Sequence, residues 1–363
     1  MSKLSKLWHT TIDFLCDFLE EELDPLTEKQ KRFIAICELA KLDEQMKDYA
    51  SHPLGRKKKT RIDLAKTFIA KAVHNFPTTS ILIEHLKGCK NLRRLCGWEY
   101  AYQIPSESTF SRAFAEFANG NLGEVIHKAM VKNHCGKKLA GHISRDSTAI
   151  KAREKAAKKP AKKSKPKHKR GRPRKDEKRE AKPPKRLELQ PRRSLEENLV
   201  DLPTDCNWGQ KRNSQGKTET WKGYKLHIDC IDGDIPISTV LTSASLHDSQ
   251  AAIPLAQMSN ERVTNLYDLM DAAYCAAGIT DYSKSLGHVP IIDENPRRGV
   301  KKEILSATKQ RYKERSSVER VNSYLKDNYG ARHVRVRGHA KVKLHLMFGV
   351  ISICATQIFR LLE

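Results

Sequence analysis

Apolar positions follow two different periods along the chain. Over the first 135 residues they recur at helical spacing: Leu7, Trp8, Ile12, Leu15, Phe18 and Leu19 come first, then Phe33, Ile36, Cys37 and Ala40. The second run is preceded by Thr27-Glu-Lys-Gln30, which has the form of a capping box. Segments 60–75, 78–88, 106–118 and 122–133 continue the helical pattern. From Lys138 the pattern shortens. Lys138 to Thr148 reads as a strand that carries Asp146 into Ser-Thr, and Val263 to Asp271 as a strand that delivers its acid into an Ala-Ala-Tyr turn. Between them, Trp221–Cys230 and Ile235–Thr242 read as two strands of a meander joined at Asp232-Gly-Asp234. The final apolar run, Leu344 to Leu362, is interrupted by His345, Gln357 and Arg360, which predicts a buried core helix rather than a membrane span.

One further helix is predicted around Tyr312, Arg315, Glu319 and Lys326, spaced Y-x2-R-x3-E-x6-K. At 100° per residue these fall at about 0°, 300°, 340° and 320°, one polar stripe. Val318, Val321 and Leu325 fall at about 240°, 180° and 220°, an apolar stripe beside it. An Arg followed by Glu at i+4 is also a common exposed pair, so the stripe by itself suits either an ordinary surface helix or a site.

A single carboxylate holds a divalent cation poorly, so chemistry on this stripe requires acids from other elements. Asp146 and Asp271 are the candidates. Asp268 rivals Asp271 if the strand ends sooner, and the Ala-Ala-Tyr that follows favours Asp271. His247 and Asp248 finish another strand and are left out of the catalytic set.

Asp146-Ser-Thr, Trp221-Lys-Gly-Tyr-Lys-Leu-His, Ser245-Leu-His-Asp-Ser-Gln250, the stretch from Tyr267 to Tyr274 and the Y-R-E-K stripe together resemble bacterial insertion-sequence transposases of the DDE type, in the superfamily named after insertion sequences four and five. The resemblance covers roughly residues 140 to 363, with a weaker echo from Pro105 to Phe114. It implies an α/β RNase H-like mixed-sheet catalytic domain, preceded by an all-α N-terminal domain. It also implies a catalytic and metal-binding triad of Asp146, Asp271 and Glu319. Three converging carboxylates repel one another unless loaded with Mg²⁺ or Mn²⁺, and two such ions serve in-line attack on phosphorus. Arg315 and Lys326 are expected on phosphates, and Tyr312 at a position that orients DNA. The implied partners are double-stranded DNA, at inverted-repeat ends and at the target, with a homodimer in the DNA complex.

Charge adds a polyanionic partner to the picture. The chain carries a formal net charge of +25, and between Lys151 and Arg186 stand 19 basic against 4 acidic residues. With few large apolar side chains and several prolines, this stretch predicts a basic disordered insertion at about 151–205. Within it, Arg170-Gly171-Arg172-Pro173 resembles an AT-hook, in which a thin extended backbone lets two arginines enter a narrow minor groove. A polybasic linker on phosphates is the other reading, and both weaken with salt.

The expected organisation is a helical DNA-binding or dimerisation domain over 1–135 and the catalytic domain over 136–363. In the first, Ser106 after Pro105 starts a helix carrying Arg112, either as part of a helix-turn-helix-like pair with 78–88 or as packing. Nine cysteines without a C-x2-C pair point to a reducing compartment, and the spacing of His85, Cys89 and Cys96 fits no common zinc site. Lys3, Lys6, Asp13 and Asp17 interrupt any secretory signal, so a cytoplasmic, nucleoid-associated enzyme is expected, with no membrane. Two other functions remain open from the sequence: an RNase H-like endonuclease or resolvase, and a catalytically inactive AT-hook-type DNA-binding protein.

Overall fold

A computed structural model of the protein describes residues 3–49, 60–158, 184–212, 215–294 and 305–362. The N-terminal part is helical, as its periodicity predicts: α1 (Lys3–Glu22), α2 (Glu28–Ala40), α3 (Leu42–Gln45), α4 (Arg61–Val73), α5 (Thr79–Gly88), α6 (Lys90–Leu95), α7 (Glu107–Asn119) and α8 (Leu122–His134). Thr27 and Gln30 close the expected capping box at the start of α2. The short α6 lies between α5 and α7, the two segments paired in the helix-turn-helix-like reading.

The chain then enters β1 (Leu139–Lys151) and, beyond the insertion, α9 (Arg186–Leu189), α10 (Leu195–Asp201), β2 (Asn207–Arg212), β3 (Thr218–Ile231), β4 (Ile235–Ser243), α11 (Ser249–Asn260), β5 (Thr264–Met270), α12 (Ala277–Ser285) and β6 (Val289–Ile292). It ends with α13 (Ser306–Tyr312), α14 (Ser316–Asn328) and α15 (His339–Leu362). Among the described residues six strands form one mixed sheet in the order β2-β3-β1-β5-β6, with β4 on the second half of β3. The pairs β1–β3, β2–β3 and β3–β4 are antiparallel, whereas β1–β5 and β5–β6 are parallel. This is the helical region followed by an RNase H-like mixed sheet that the sequence predicts, with β2 and β6 as additional strands.

The β3–β4 hairpin turns at Gly233 and Asp234, whose φ angles of 81° and 60° are left-handed, a conformation that glycine and, less readily, Asp accept. Its acids fasten other elements: Asp232 accepts from the Gly141 and His142 amides of β1, and Asp234 takes both arms of Arg320 on α14 at 2.8 and 2.7 Å.

The C-terminal apolar run forms α15, the one described helix long and apolar enough to cross a membrane, with 78% of its apolar window buried. It is a core helix. Phe348 stacks on Phe68 of α4, and one continuous apolar cluster runs from Phe33, Phe110 and Phe117 through α15 to Ile228 and Ile237 of the sheet. Gly349 of α15 brings α14 close, since a Cβ there would lie 2.7 Å from Leu325 Cδ1. On the other face of the sheet, Val240, Leu246, Leu255 and Met258 gather Leu195 and Leu199 of α10.

The structure departs from the expected insertion at its far end. Residues 159–183 lie outside the described residues, but Arg186–Leu189 and Leu195–Asp201 are helical. Ser194 and Glu197 form a capping box there, a local signal concealed in the sequence by the basic bias around it.

Two fully buried histidines join elements of the core. His127 of α8 bonds the Pro236 carbonyl at 2.8 Å, and His227 of β3 bonds Thr242 Oγ1 at 2.9 Å. Burial pulls both imidazoles down to about 4. A depressed folded-state value means that the unfolded chain binds protons first as pH falls. The stability held above the ordinary histidine value is therefore lost as pH drops from roughly 6.5 toward 4, by up to about 1.4 kcal/mol per histidine per pH unit. Urea midpoints measured between pH 7.5 and 4.5 are expected to fall along this window; His127→Gln should flatten the slope, and an unchanged slope would show that His127 is not the titrating group.

Candidate active site

The parallel pairing of β1 with β5 decides which acids meet. Arg145 stands opposite Met270, so the next residues, Asp146 and Asp271, come abreast where β5 ends. Neighbouring strands lie about 4.8 Å apart, and residues paired in parallel register share a face. Asp146 accepts from Asn322 Nδ2 of α14 at 3.2 Å, and Asp271 accepts from the Ala273 amide at 3.0 Å, capping the 3-10 turn Ala272–Tyr274. Burial pushes the Asp146 carboxyl up to about 6, with Asp271 adding to the effect and Lys211 and Arg315 opposing it. Burial likewise raises Asp271, and Asp248 adds to it.

Asp268 pairs with Ile143 and faces the other side of the sheet. It is 2% exposed, accepts from Ser283 Oγ and from Asn265 at 3.0 Å, and lies 3.2 Å from His288 Nδ1. Those contacts tie β5 to α12 and the turn after it.

The Y-R-E-K segment is not one continuous helix. α13 ends at Tyr312, a 3-10 turn spans Lys313–Arg315, and α14 begins at Ser316. In a 3-10 turn residues i and i+3 eclipse, and Arg315 accordingly sits over the Tyr312 ring at 5.7 Å. The Tyr312 hydroxyl donates to the Met270 carbonyl at 3.3 Å, and Ser144 Oγ of β1 donates to the Glu314 carbonyl at 3.1 Å. These two bonds seat the turn beside the acid pair. Burial raises the Tyr312 phenol to about 12, so it remains a donor.

Glu319 pairs with Arg315, and its side chain is 53% exposed. Asp146 and Asp271 are thus brought together while Glu319 is held by its neighbour on the helix. Among the described residues, no three His, Cys, Asp or Glu side chains are gathered about one point. Lys326 stands further along α14. Its ammonium is lowered from the usual lysine value by burial and by Lys211 and Arg332. Arg170, Gly171, Arg172 and Pro173 lie outside the described residues.

Lys211 and Asn322 escaped the sequence reading, and Asp248, named there, was left out of the catalytic set. Asp248 bonds Lys225 at 2.9 Å and acts electrostatically on Asp271. Lys211, on β2, is the strongest opposing charge on Asp146. Asn322 reaches Asp146 directly. The Leu-His-Asp-Ser motif contained a signal for Asp248; a lone Lys and a lone Asn are connected to the site only through tertiary register.

The pair suits a hard divalent cation. Two half-buried carboxylates lie abreast, bonded to neutral N–H groups, with their proton affinity raised. That is a donor set for Mg²⁺ or Mn²⁺ rather than for a soft metal.

Comparison with known families gives two matches. The transposase DDE domain family matches residues 137–355, more than half of the chain, and a second transposase domain family matches residues 18–116. No curated protein matches the chain.

Proposed function

Because the chain belongs to the transposase DDE domain family and is a DNA transposase, we propose that it cuts at the ends of an insertion sequence and joins them to target DNA at a site formed by Asp146, Asp271 and Glu319. The observation that carries this reading is the register of β1 against β5, which sets two acids abreast beneath Tyr312 and Arg315. Family members of this kind use divalent cations. Mg²⁺ or Mn²⁺, two ions in our reading, supplies charge neutralisation and an activated oxygen nucleophile when bound.

The chain's own residues then have distinct tasks. Asp146 and Asp271 hold the cation, and Glu319 completes the set when it leaves Arg315. Arg315, once free of Glu319, carries its planar fork to a phosphate, for which it is better shaped than lysine. Lys326 and, near it, Lys211 supply point charges for neighbouring phosphates. Tyr312 keeps its proton, bonds the carbonyl just before Asp271, supports Arg315 with its ring and orients the DNA. The helical part over 1–135 recognises the ends or joins two copies into a homodimer, and Arg170-Gly-Arg-Pro173 adds minor-groove contacts. A cytoplasmic, nucleoid-associated location goes with this function.

Incubating the protein and Mg²⁺ with DNA carrying both flanks of its reading frame tests the proposal. Nicked ends and joined product are expected. Nicking without joining would replace the reading by that of an endonuclease, and salt-sensitive binding without either reaction would replace it by that of an architectural protein.

A further inference from the structure

Asn322 is 7% exposed and sits on α14 one turn after Glu319 and one turn before Lys326. At 100° per residue the three lie within about 60° of one another on the helix surface. Its Nδ2 donates to Asp146 Oδ2 at 3.2 Å. Its Oδ1 is buried and has no hydrogen-bond partner in the structure. The orientation of the amide follows from the chemistry, because the carboxylate can only accept and so the NH₂ group must face it.

A buried carbonyl without a donor costs about 1–3 kcal/mol, so an orphan of this kind in a polar site is a place for a donor such as water. The identity of the side chain narrows what that partner is. A lysine or arginine here would neutralise Asp146 and compete with a cation, and an acid would repel it. A neutral amide fixes one carboxylate oxygen without neutralising the group, and its carbonyl is an acceptor that suits the protons of cation-bound water. Resting on the active-site reading above, we infer that Asn322 is the positioning residue of this site: it aims the Asp146 carboxylate and holds the water shell of the divalent cation through its buried Oδ1.

The helix is also fastened to the sheet elsewhere, by the Arg320–Asp234 pair, and this supplies a control. Loosening α14 in general is what Arg320→Ala does; removing the amide is what Asn322→Ala does. Asn322→Leu keeps nearly the same volume without polar atoms and so guards against a packing artefact.

The experiment uses full-length protein without DNA and titrates Mn²⁺ by electron paramagnetic resonance. It is followed by fluorescence anisotropy on end DNA and by cleavage at saturating DNA. Groups that orient metal ligands typically contribute 10–100-fold to metal affinity. Both Asn322 variants are expected to weaken Mn²⁺ binding by about 10–100-fold and to lower kcat. KM and Kd for DNA should stay unchanged, and raised Mn²⁺ should restore much of the rate. Arg320→Ala should leave Mn²⁺ affinity at the wild-type value. Wild-type Mn²⁺ affinity in both Asn322 variants, or an equal loss in Arg320→Ala, overturns the inference. Asp146→Ala with unchanged Mn²⁺ affinity removes the underlying active-site reading instead, and the role of Asn322 falls with it.

Discussion

Asp146→Asn is expected to lower end cleavage and strand transfer by at least about 10³-fold, equivalent to roughly 4 kcal/mol of lost transition-state stabilisation. The substitution is nearly isosteric, so its effect is one of charge. DNA binding should survive, because it rests on Arg315, Lys326, Lys211 and the basic insertion, and removing one carboxylate beside them leaves their attraction for phosphate stronger. Stability should move in the opposite direction from activity. Burial raises the Asp146 carboxyl to about 6, so the fold favours its neutral form. The stability it contributes when protonated is lost as pH rises through that value, and at pH 7.5 the ionised group is a liability that asparagine does not carry. The metal-free variant should therefore melt at the same temperature as wild type or higher. Glu319→Gln should produce a similar loss of turnover with little change in melting, because its pair with Arg315 is exposed on the Glu319 side and such pairs contribute about 0–1 kcal/mol. Calorimetry beside a cleavage assay separates the cases: a variant that loses activity together with several degrees of melting temperature would mark the residue as structural.

The contrast between Asp271 and Asp268 shows how far a strand pattern reaches. Both acids belong to one strand pattern, and alternation alone puts residues three apart on opposite faces. The end of β5 at Met270 then leaves Asp271 at the mouth and Asp268 inside, which the small residues after Asp271 already suggested. The hairpin at Asp232–Asp234, the capping box at Thr27 and the core helix at the C-terminus were legible for the same reason: each depends on signals within a few residues. What was not legible depends on distance in sequence. The break of helical phase at Lys313–Arg315 follows from seating Tyr312 on Met270 and Ser144 on Glu314, bonds that span 42 and 170 residues. Asn322 and Lys211 carry no motif of their own. They reach the site because α14 and β2 are folded against β1 and β3.

The largest effect on folding is expected on the opposite face of the same strand. Arg145, one residue before Asp146, is 2% exposed, and Asp229 directly across on β3 is fully buried. The guanidinium grips the carboxylate at both ends, Nε to Oδ1 at 2.8 Å and Nη2 to Oδ2 at 2.7 Å, with Ser259 Oγ adding a third donor at 2.7 Å. Burial works against the charge on Arg145, and Asp229 at bidentate distance more than offsets it. A buried pair of this kind is stable as a pair, but removing one member leaves a desolvated charge without its bidentate partner, which costs about 3–5 kcal/mol. Arg145→Met and Asp229→Leu should each lose that much in urea unfolding at pH 7.5. The double variant should recover much of it, because two apolar side chains of similar volume remove both charges of the pair, while Asp268, which loses the nearby Arg145 cation, keeps Ser283, Asn265 and His288 as partners. Single losses below about 1 kcal/mol would mean that water reaches the pair and that it holds no register. Recovery of stability in the double variant, measured beside its cleavage rate, also separates two uses of the pair. If turnover returns with stability, Arg145 and Asp229 serve the sheet alone; if stability returns and turnover does not, the fixed fork is what keeps β1 in the register that sets Asp146 abreast of Asp271.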